Sequence, residues 1–219
     1  MSRPERGFWL DDAGHRADLA TFVDRARRLD EAAVIRLRAR RDGLVGVWVA
    51  TGFDVLATRA VPGRVRPDDL CTGADALAAG LAAAGADGYV DPGFAMDAAW
   101  RGALPPETGF THLDDVPARV VLELAQRGAE LAREHAGAHG PPASLLDQEV
   151  ISVSSGEVDA GIPMRAVFAL TAMGFLPQQA DAVAASEVVR VRVTPAWLRI
   201  DARFGSVYRR RGGPSLLVR

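Results

Sequence analysis

The chain has 219 residues, of which 48% are hydrophobic and 25% are charged, a composition that is typical of a folded globular protein and excludes a disordered one. All 26 basic residues are arginine, which must therefore also solvate the surface, so each arginine is weaker evidence of anion binding than usual. The single cysteine, Cys71, excludes an internal disulfide bond and a cysteine-based zinc cluster, and the first residues lack the apolar stretch of a secretory signal, so we expect a cytoplasmic protein.

The formal net charge of −2 hides an uneven distribution of charge along the chain. Residues 25–41 hold seven arginines and two acids, residues 68–115 hold nine acids and one arginine, and residues 188–219 hold eight arginines and one acid. These regions either lie against one another, within the fold or across a dimer, or they form a basic surface for an anionic partner.

The first half of the chain predicts a helix, three strands and a second helix. Residues 17–29 have apolar side chains at helical spacing. These apolar side chains are Leu19, Phe22, Val23 and Ala26. Three strand-like runs separated by turn residues follow, and they are Val34 to Arg40, Leu44 to Thr51 and Val55 to Val61. Residues 73–84 then predict a helix of small residues.

Residues 85–113 are rich in proline and glycine and predict an irregular segment at a domain boundary. We expect three aromatic side chains to pin this segment to the body of the protein. They are Phe94, Trp100 and Phe110.

The second half predicts three helices, near 116–136, 144–150 and 163–174, and then a basic antiparallel hairpin or meander. Asp114 or Asp115 is expected to cap the first of these helices. The third is apolar all round except for Arg165, so we expect it to be the most buried element of the chain. Its least accessible side chains are expected to be Phe168, Leu170 and Met173.

Together these elements predict an α+β fold with two sub-domains, 1–100 and 101–219, each with helices packed on a small antiparallel β-meander. The segments AVIRLRA (33–39) and VVRVRVT (188–194) each follow a helix and each open a meander. This similarity between the two segments is compatible with a weak internal duplication and with chance resemblance of two hairpins.

The segments PASLLDQEV and IPMRAVFALTAMGFL, with the upstream VPARVVLELAQRGAELAREH, resemble a family of conserved actinobacterial proteins of uncharacterised activity. The resemblance extends over most of the chain. It implies a cytoplasmic bacterial protein, and it brings with it no activity, ligand or catalytic residue.

The first predicted strand, VIRLRAR, alternates arginine with apolar residues. Its arginines are Arg36, Arg38 and Arg40. Because alternate residues of a strand face opposite sides, Ile35 and Leu37 should be buried and the arginines should lie on the other face. We expect each arginine stem to lie over an apolar neighbour and some guanidinium groups to meet carboxylates of residues 68–115, so that the row is structural rather than a binding site.

The C-terminal strands offer a candidate nucleic-acid interface, because alternation places arginine and tryptophan on one outward face. The candidate residues are Arg190, Arg192, Trp197, Arg199 and Arg203. Such a surface can hold phosphates and stack bases. The alternative is a solvated face or a dimer contact, with an arginine stem lying along Trp197.

Residues 117–210 also have the element order of a winged helix, three helices followed by a basic hairpin. The third helix would read the DNA, yet it offers only Arg165 on an apolar surface. A helix in the major groove needs several polar side chains on one face, so the chemistry does not match the element order.

No metal, cofactor or catalytic site is predicted. His135 and His139 have the spacing of two metal ligands on a helix, but Gly137 lies between them and no cysteine supports the pair. The acidic doublets at 11–12, 68–69 and 114–115 are expected to cap helices rather than to form catalytic pairs. The chain has no phosphate-binding loop, dinucleotide fingerprint or nucleophile elbow.

The favoured function is therefore a non-enzymatic protein–protein interaction or regulatory protein of the cytoplasm, acting as a homodimer. Nucleic-acid binding, through the winged-helix-like region or the arginine-bearing sheet, is the first alternative, and an enzyme of unrecognised class is the second. No membrane contact is expected, because the longest apolar run, Ala166 to Leu176, is too short to cross a bilayer.

Overall fold

The computed structural model describes residues 5–135, 141–177, 183–184 and 186–212. It confirms the predicted α+β class, with mainly antiparallel strands. The chain divides into two compact units. Unit 1 comprises residues 1–52 and 56–104, and unit 2 comprises residues 53–55 and 105–219.

In the part of unit 1 that the structure describes there are two α-helices, a main sheet and a small sheet. The helices are α1 (Ala13–Leu29) and α2 (Ala74–Ala83). The strands are β1 (Gly7–Trp9), β2 (Val34–Ala39), β3 (Leu44–Thr51), β4 (Val55–Pro62), β5 (Arg64–Arg66), β6 (Asp69–Gly73) and β7 (Tyr89–Val90). In the main sheet the neighbours follow the order β6-β2-β3-β4, and in the small sheet β1 lies between β5 and β7.

Helix α1 forms where the sequence predicts it, and its N-terminus is capped by Asp12. The Asp12 carboxylate accepts a hydrogen bond from the backbone N–H of His15 at 2.9 Å. That bond holds the pKa of Asp12 below its ordinary value. The predicted apolar stripe of the helix is buried, as are Ile35 and Leu37 of β2.

Among its described residues, unit 2 contains three helices, a main sheet and a hairpin. The helices are α3 (Ala118–Glu134), α4 (Ala143–Asp147) and α5 (Met164–Ala172). The strands are β8 (Thr111–Pro117), β9 (Glu149–Ser155), β10 (Val158–Pro163), β11 (Val188–Val193), β12 (Trp197–Ala202) and β13 (Gly205–Arg210). In the main sheet the neighbours follow the order β13-β12-β11-β8, while β9 pairs with β10.

Helix α5 and the turn after it are buried as predicted. Phe168 is 9% exposed, Leu170 is 1% exposed and Met173 is 2% exposed. Helix α3 approaches α5 closely at Gly128, where an added Cβ would lie 2.7 Å from the sulfur of Met164. A side chain at position 128 would therefore require the flexible end of Met164 to shift.

Two predictions for unit 2 are wrong. The helix expected at 144–150 ends at Asp147, and Glu149 already begins β9, because the β-branched residues that follow pair with β10 instead. Asp114 and Asp115 do not cap a helix, because they lie in β8 opposite β11. Helix α3 starts only after Pro117 and has no side-chain cap.

The two units share one architecture. In each unit two helices pack on each other, α1 on α2 and α3 on α5, beside a main sheet and a small sheet. The strands that carry the sequence echo, β2 and β11, hold the same position, next to an edge strand that leads directly into a helix. In unit 1 that edge strand follows the meander along the chain, whereas in unit 2 it precedes the meander. This agreement supports the internal duplication that the sequence leaves open.

Within the described ranges, the helices are either too short or too polar to cross a membrane.

Candidate functional site

The row of arginines on β2 is held by carboxylates. Arg36 donates from Nε and Nη2 to the two carboxylate oxygens of Asp69, both at 2.7 Å, and this bidentate contact raises its pKa. The Arg36 guanidinium also lies 5.6 Å from the ring centre of Trp100. Arg38 reaches the same aspartate at 3.9 Å. The acidic and basic regions of unit 1 thus meet within the fold, as predicted.

Arg40 departs from that pattern. It pairs with Asp42 in its own hairpin turn at 2.6 Å. An aspartate two residues away along the turn is within reach of this guanidinium without a contact from a distant segment. The three arginines therefore stabilise the fold, and Arg40 does so through a partner in its own turn.

Two of the five candidate nucleic-acid residues belong to one structural ion-pair cluster. Arg192 on β11 and Arg199 on β12 lie opposite each other, and both donate to Asp201, Arg199 from Nε at 2.7 Å. The Ser206 hydroxyl donates to the same carboxylate at 2.5 Å. Asp201 is only 17% exposed, so its charge is directed at these partners rather than at solvent.

Aromatic rings enclose the Arg199 side of this cluster. The Arg199 guanidinium lies 5.5 Å from the ring centres of both Phe110 and Tyr208, and those two rings meet edge to face at 5.8 Å. Phe110 therefore pins its segment to the sheet, as predicted.

Trp197 is not the exposed stacking surface that the sequence predicted. It is only 7% exposed, because Arg210, its cross-strand neighbour on β13, lies over the indole at 4.9 Å. The expectation of an arginine stem along Trp197 is correct, but the arginine is Arg210. A base could stack on this ring only after Arg210 moves away.

The remaining two candidates also have acidic partners. Arg190 lies 3.6 Å from Asp115, and Arg203 lies 3.4 Å from Glu187. Each of the four candidate arginines therefore has a carboxylate within ion-pair distance. This arrangement lowers the positive potential that phosphate binding requires.

The winged-helix interpretation does not agree with the element order. Strands β9 and β10 stand between α4 and α5, so the three helices do not run directly into the basic hairpin. Arg165 on α5 is only 11% exposed at its side chain, because it binds Asp147 and the backbone carbonyl of Phe53. Helix α5 therefore offers no charge to a DNA groove.

The histidine pair with the spacing of metal ligands, which is not predicted to be a metal site, includes a residue outside the described ranges. His135 follows the last residue of α3 and its Nδ1 lies 3.0 Å from the carbonyl of Leu131, while His139 lies outside the described residues. Among the residues that the structure describes, no group of three histidine, cysteine or acidic side chains is arranged to hold a metal ion.

The loop at residues 91–97, here called the Phe94 loop, presents an exposed aromatic ring. Phe94 is 93% exposed, although the sequence predicted that it pins this segment to the body. On its N-terminal side, Arg6 Nε donates to the Gly93 carbonyl at 3.3 Å and Thr72 Oγ1 donates to the carbonyl of Pro92. Gly93 adopts a positive φ of 72°, which directs the chain outward.

The C-terminal side of the Phe94 loop is fixed to the edge of β6. The Met96 N–H donates to the carbonyl of Cys71 at 2.9 Å, and the Cys71 N–H donates to the Asp97 carboxylate at 2.9 Å. The backbone is thus held on both sides of Phe94, while the phenyl ring itself stays in solvent. A glycine–phenylalanine pair in a proline-containing loop was the available sequence signal, but composition alone does not show which aromatic residue points outward.

The comparisons with known proteins agree with this fold. Similar structures include the DNA polymerase sliding clamps of Pseudomonas aeruginosa (TM-score 0.56, 10% identity, 96% of this chain and 66% of that chain) and Caulobacter crescentus (0.53, 12%, 96% and 67%). A third is the beta subunit of the DNA polymerase of Streptococcus pyogenes (0.55, 11%, 94% and 65%). The chain thus spans about two thirds of the length of these proteins, and the likeness establishes the fold.

Two family models match the sequence, and the curated proteins give no match. Residues 3–102 match the Domain of unknown function (DUF8010), and residues 105–214 match the Domain of unknown function (DUF8185). Both descriptions agree with the resemblance to an uncharacterised family. The second match covers half of this chain, and the chain therefore belongs to the DUF8185 family.

Proposed function

We propose that this protein is a non-enzymatic, cytoplasmic protein-interaction protein that assembles with a second copy of itself through the Phe94 loop. The observation that carries the proposal is the 93% exposed phenyl ring on a backbone that is fixed on both sides. An aromatic residue on a preorganised loop loses little conformational entropy on binding, which is typical of an interface hot spot.

The fold supports an assembly role. The similar structures are named as DNA polymerase sliding clamps and as the beta subunit of a DNA polymerase. For this chain, the corresponding role is to present surfaces to protein partners rather than to perform chemistry.

A second copy supplies a suitable acceptor for the ring. Unit 1 contains a cavity of about 220 Å³ with walls that include Trp9, Val65 and Asp68. Arg64 lies over the Trp9 indole at 5.8 Å and Arg66 also lines the cavity, so an incoming phenyl ring has to displace Arg64 before it can stack on the indole. A phenyl ring packs well against an indole. In a two-fold dimer each copy would place its Phe94 in the cavity of the other, because a two-fold axis makes every contact reciprocal.

The first experiment measures self-association by sedimentation equilibrium over a range of protein concentrations. We expect the wild-type chain to form a dimer and Phe94→Ser to raise the dimer dissociation constant at least about tenfold, the equivalent of about 1.4 kcal/mol. The matched control is Phe204→Ser, because Phe204 is also exposed, at 40%, but lies in unit 2. A wild-type chain that is monomeric at every concentration, or equal association of the two variants, would contradict the proposal.

A second experiment identifies the acceptor. A photoreactive benzoylphenylalanine at position 94 is irradiated in a mixture of unlabelled and nitrogen-15-labelled chains. We expect cross-links between copies to peptides that contain Trp9 or residues 64–68. Cross-links confined to one copy, or directed to unit 2, would exclude this cavity as the acceptor.

A further inference from the structure

The end of β13 carries three consecutive arginines that point in different directions. Arg209 lies opposite Leu198 and Arg210 lies opposite Trp197, so the side chains of Arg209 and Arg210 are on opposite faces of the sheet. Arg211 follows and, with Arg209, lines a cavity of about 210 Å³ in unit 2. Arg210 also borders this cavity, but its guanidinium is occupied by the Trp197 ring on the other face.

Arg209 shares its acidic partner with another arginine. Its Nη2 lies 3.4 Å from a carboxylate oxygen of Asp147, but the same oxygen already accepts from Arg165 at 2.9 Å. The Arg209 Nε is inaccessible to solvent and has no hydrogen-bond partner. An anion in the cavity would therefore bind the Nη atoms of Arg209, whose charge Asp147 only partly neutralises.

Arg211 is held in place without being neutralised. Its guanidinium donates to two backbone carbonyls, that of Asp159 at 2.9 Å and that of Thr194 at 3.4 Å. In the part of the chain that the structure describes, no carboxylate lies within ion-pair distance of Arg211. Backbone carbonyls orient the side chain and leave its positive charge available to a ligand.

The acids that border the cavity limit what can enter it. Glu149 and Asp159 both line its wall, yet in the described residues neither forms an ion pair with the cavity arginines. The Glu149 carboxylate instead lies against Gly161, where an added Cβ would collide with it. These two acids lower the positive potential of the cavity, so its arginines suit one anionic group rather than a polyanion.

We infer that this cavity is a binding site for a single small oxyanion, a carboxylate or phosphate group, held by Arg209 and Arg211. Guanidinium groups match both anions because their N–H groups form a planar fork that binds two oxygens at once. The site lies in unit 2 and does not depend on the Phe94 loop, so the inference goes beyond the proposed assembly function and can fail separately from it.

The test uses the nitrogen-15 arginine Nε–H spectrum of the full chain, with sodium phosphate, sodium acetate and sodium chloride added separately at constant ionic strength. We expect the Arg209 and Arg211 signals to shift and saturate with phosphate, with acetate or with both, and the Arg210 signal to stay in place. The relative dissociation constants of phosphate and acetate tell which group the site prefers. Equal shifts of all three signals, or shifts that never saturate, would overturn the inference.

Variants separate binding from folding. Arg209→Gln and Arg211→Gln should each weaken binding of the preferred anion at least about tenfold, while Arg210→Gln should change it less than about twofold. Arg209→Lys retains the positive charge but lacks the planar fork, so it should bind as weakly as Arg209→Gln if the fork is essential. Circular dichroism confirms that each variant is folded, and equal loss in Arg210→Gln would show that only net charge matters.

Discussion

Replacing Asp201 with alanine removes the acceptor that Arg192 and Arg199 share, and we expect this change to destabilise the fold. The carboxylate accepts hydrogen bonds from both guanidinium groups and from the Ser206 hydroxyl. Without it, two arginines remain directly opposite each other on neighbouring strands, and like charges in that position repel each other.

The magnitude follows from the number of bonds and their exposure. A hydrogen bond to a charged group contributes about 1.5–3 kcal/mol when it is well shielded from water. The Arg192 and Arg199 side chains are 28% and 24% exposed, so we take the lower end of that range for each bond. We therefore expect Asp201→Ala to lower the free energy of unfolding by about 2–4 kcal/mol.

Urea unfolding followed by far-ultraviolet circular dichroism measures this loss. Glu130→Gln is the matched control, because Glu130 is an exposed acid on α3 of the same unit, and we expect a change below about 0.5 kcal/mol for it. A loss for Asp201→Ala no larger than the control would refute the structural account of this cluster. Such a result would favour the nucleic-acid alternative, in which Arg192 and Arg199 contact phosphates.

Four further outcomes are expected. Leu170→Ala, which empties a site that is 1% exposed, should lower the free energy of unfolding by about 2–5 kcal/mol, and urea unfolding will show whether the loss is smaller. Burial raises the pKa of Cys71 to about 11, so its thiol should not react with Ellman's reagent at pH 7 until urea unfolds the chain; rapid reaction of the folded protein would contradict this. The His112 hydrogen bond lowers the pKa of Asp115, so His112→Ala should raise that pKa in a carboxyl NMR titration; the stability from this contact is present above the ordinary pKa and is lost as the pH falls through the folded value. A gel shift with random DNA and RNA at low salt should show no binding, and a shift that disappears in Arg190→Ala would restore the nucleic-acid alternative.

Local periodicity predicted much of the fold. The stripe of α1, the burial of Ile35 and Leu37, and the apolar helix α5 all follow from side-chain spacing, because alternate residues of a strand and every third or fourth residue of a helix share one environment. The outward direction of Arg36 could be predicted for the same reason, and the excess of acids in residues 68–115 indicated where its partner lies.

Features that depend on distant residues could not be predicted. Asp114 and Asp115 precede a helix, so the local sequence predicts that they cap it. They lie in a strand instead, because they pair with β11, which is about 75 residues further along the chain. Trp197 reads as exposed by alternation, and only its pairing with Arg210 shows that it is covered. The Phe94 loop is fixed by bonds to Arg6, Cys71 and Thr72, none of which the local sequence reveals.

The reversed order of meander and edge strand in the two units has a consequence for the order of folding. In unit 1, Arg36 of β2 lies opposite Cys71 of β6, which is 35 residues away along the chain. In unit 2, Asp114 of β8 lies opposite Val191 of β11, which is 77 residues away. The entropy lost on closing a loop grows with its length, by about 0.6 kcal/mol for each doubling, and contacts between distant residues form late. We therefore expect the edge strand to join its sheet earlier in unit 1 than in unit 2, where α3, the hairpin of β9 and β10, and α5 lie between β8 and its partner strand along the chain.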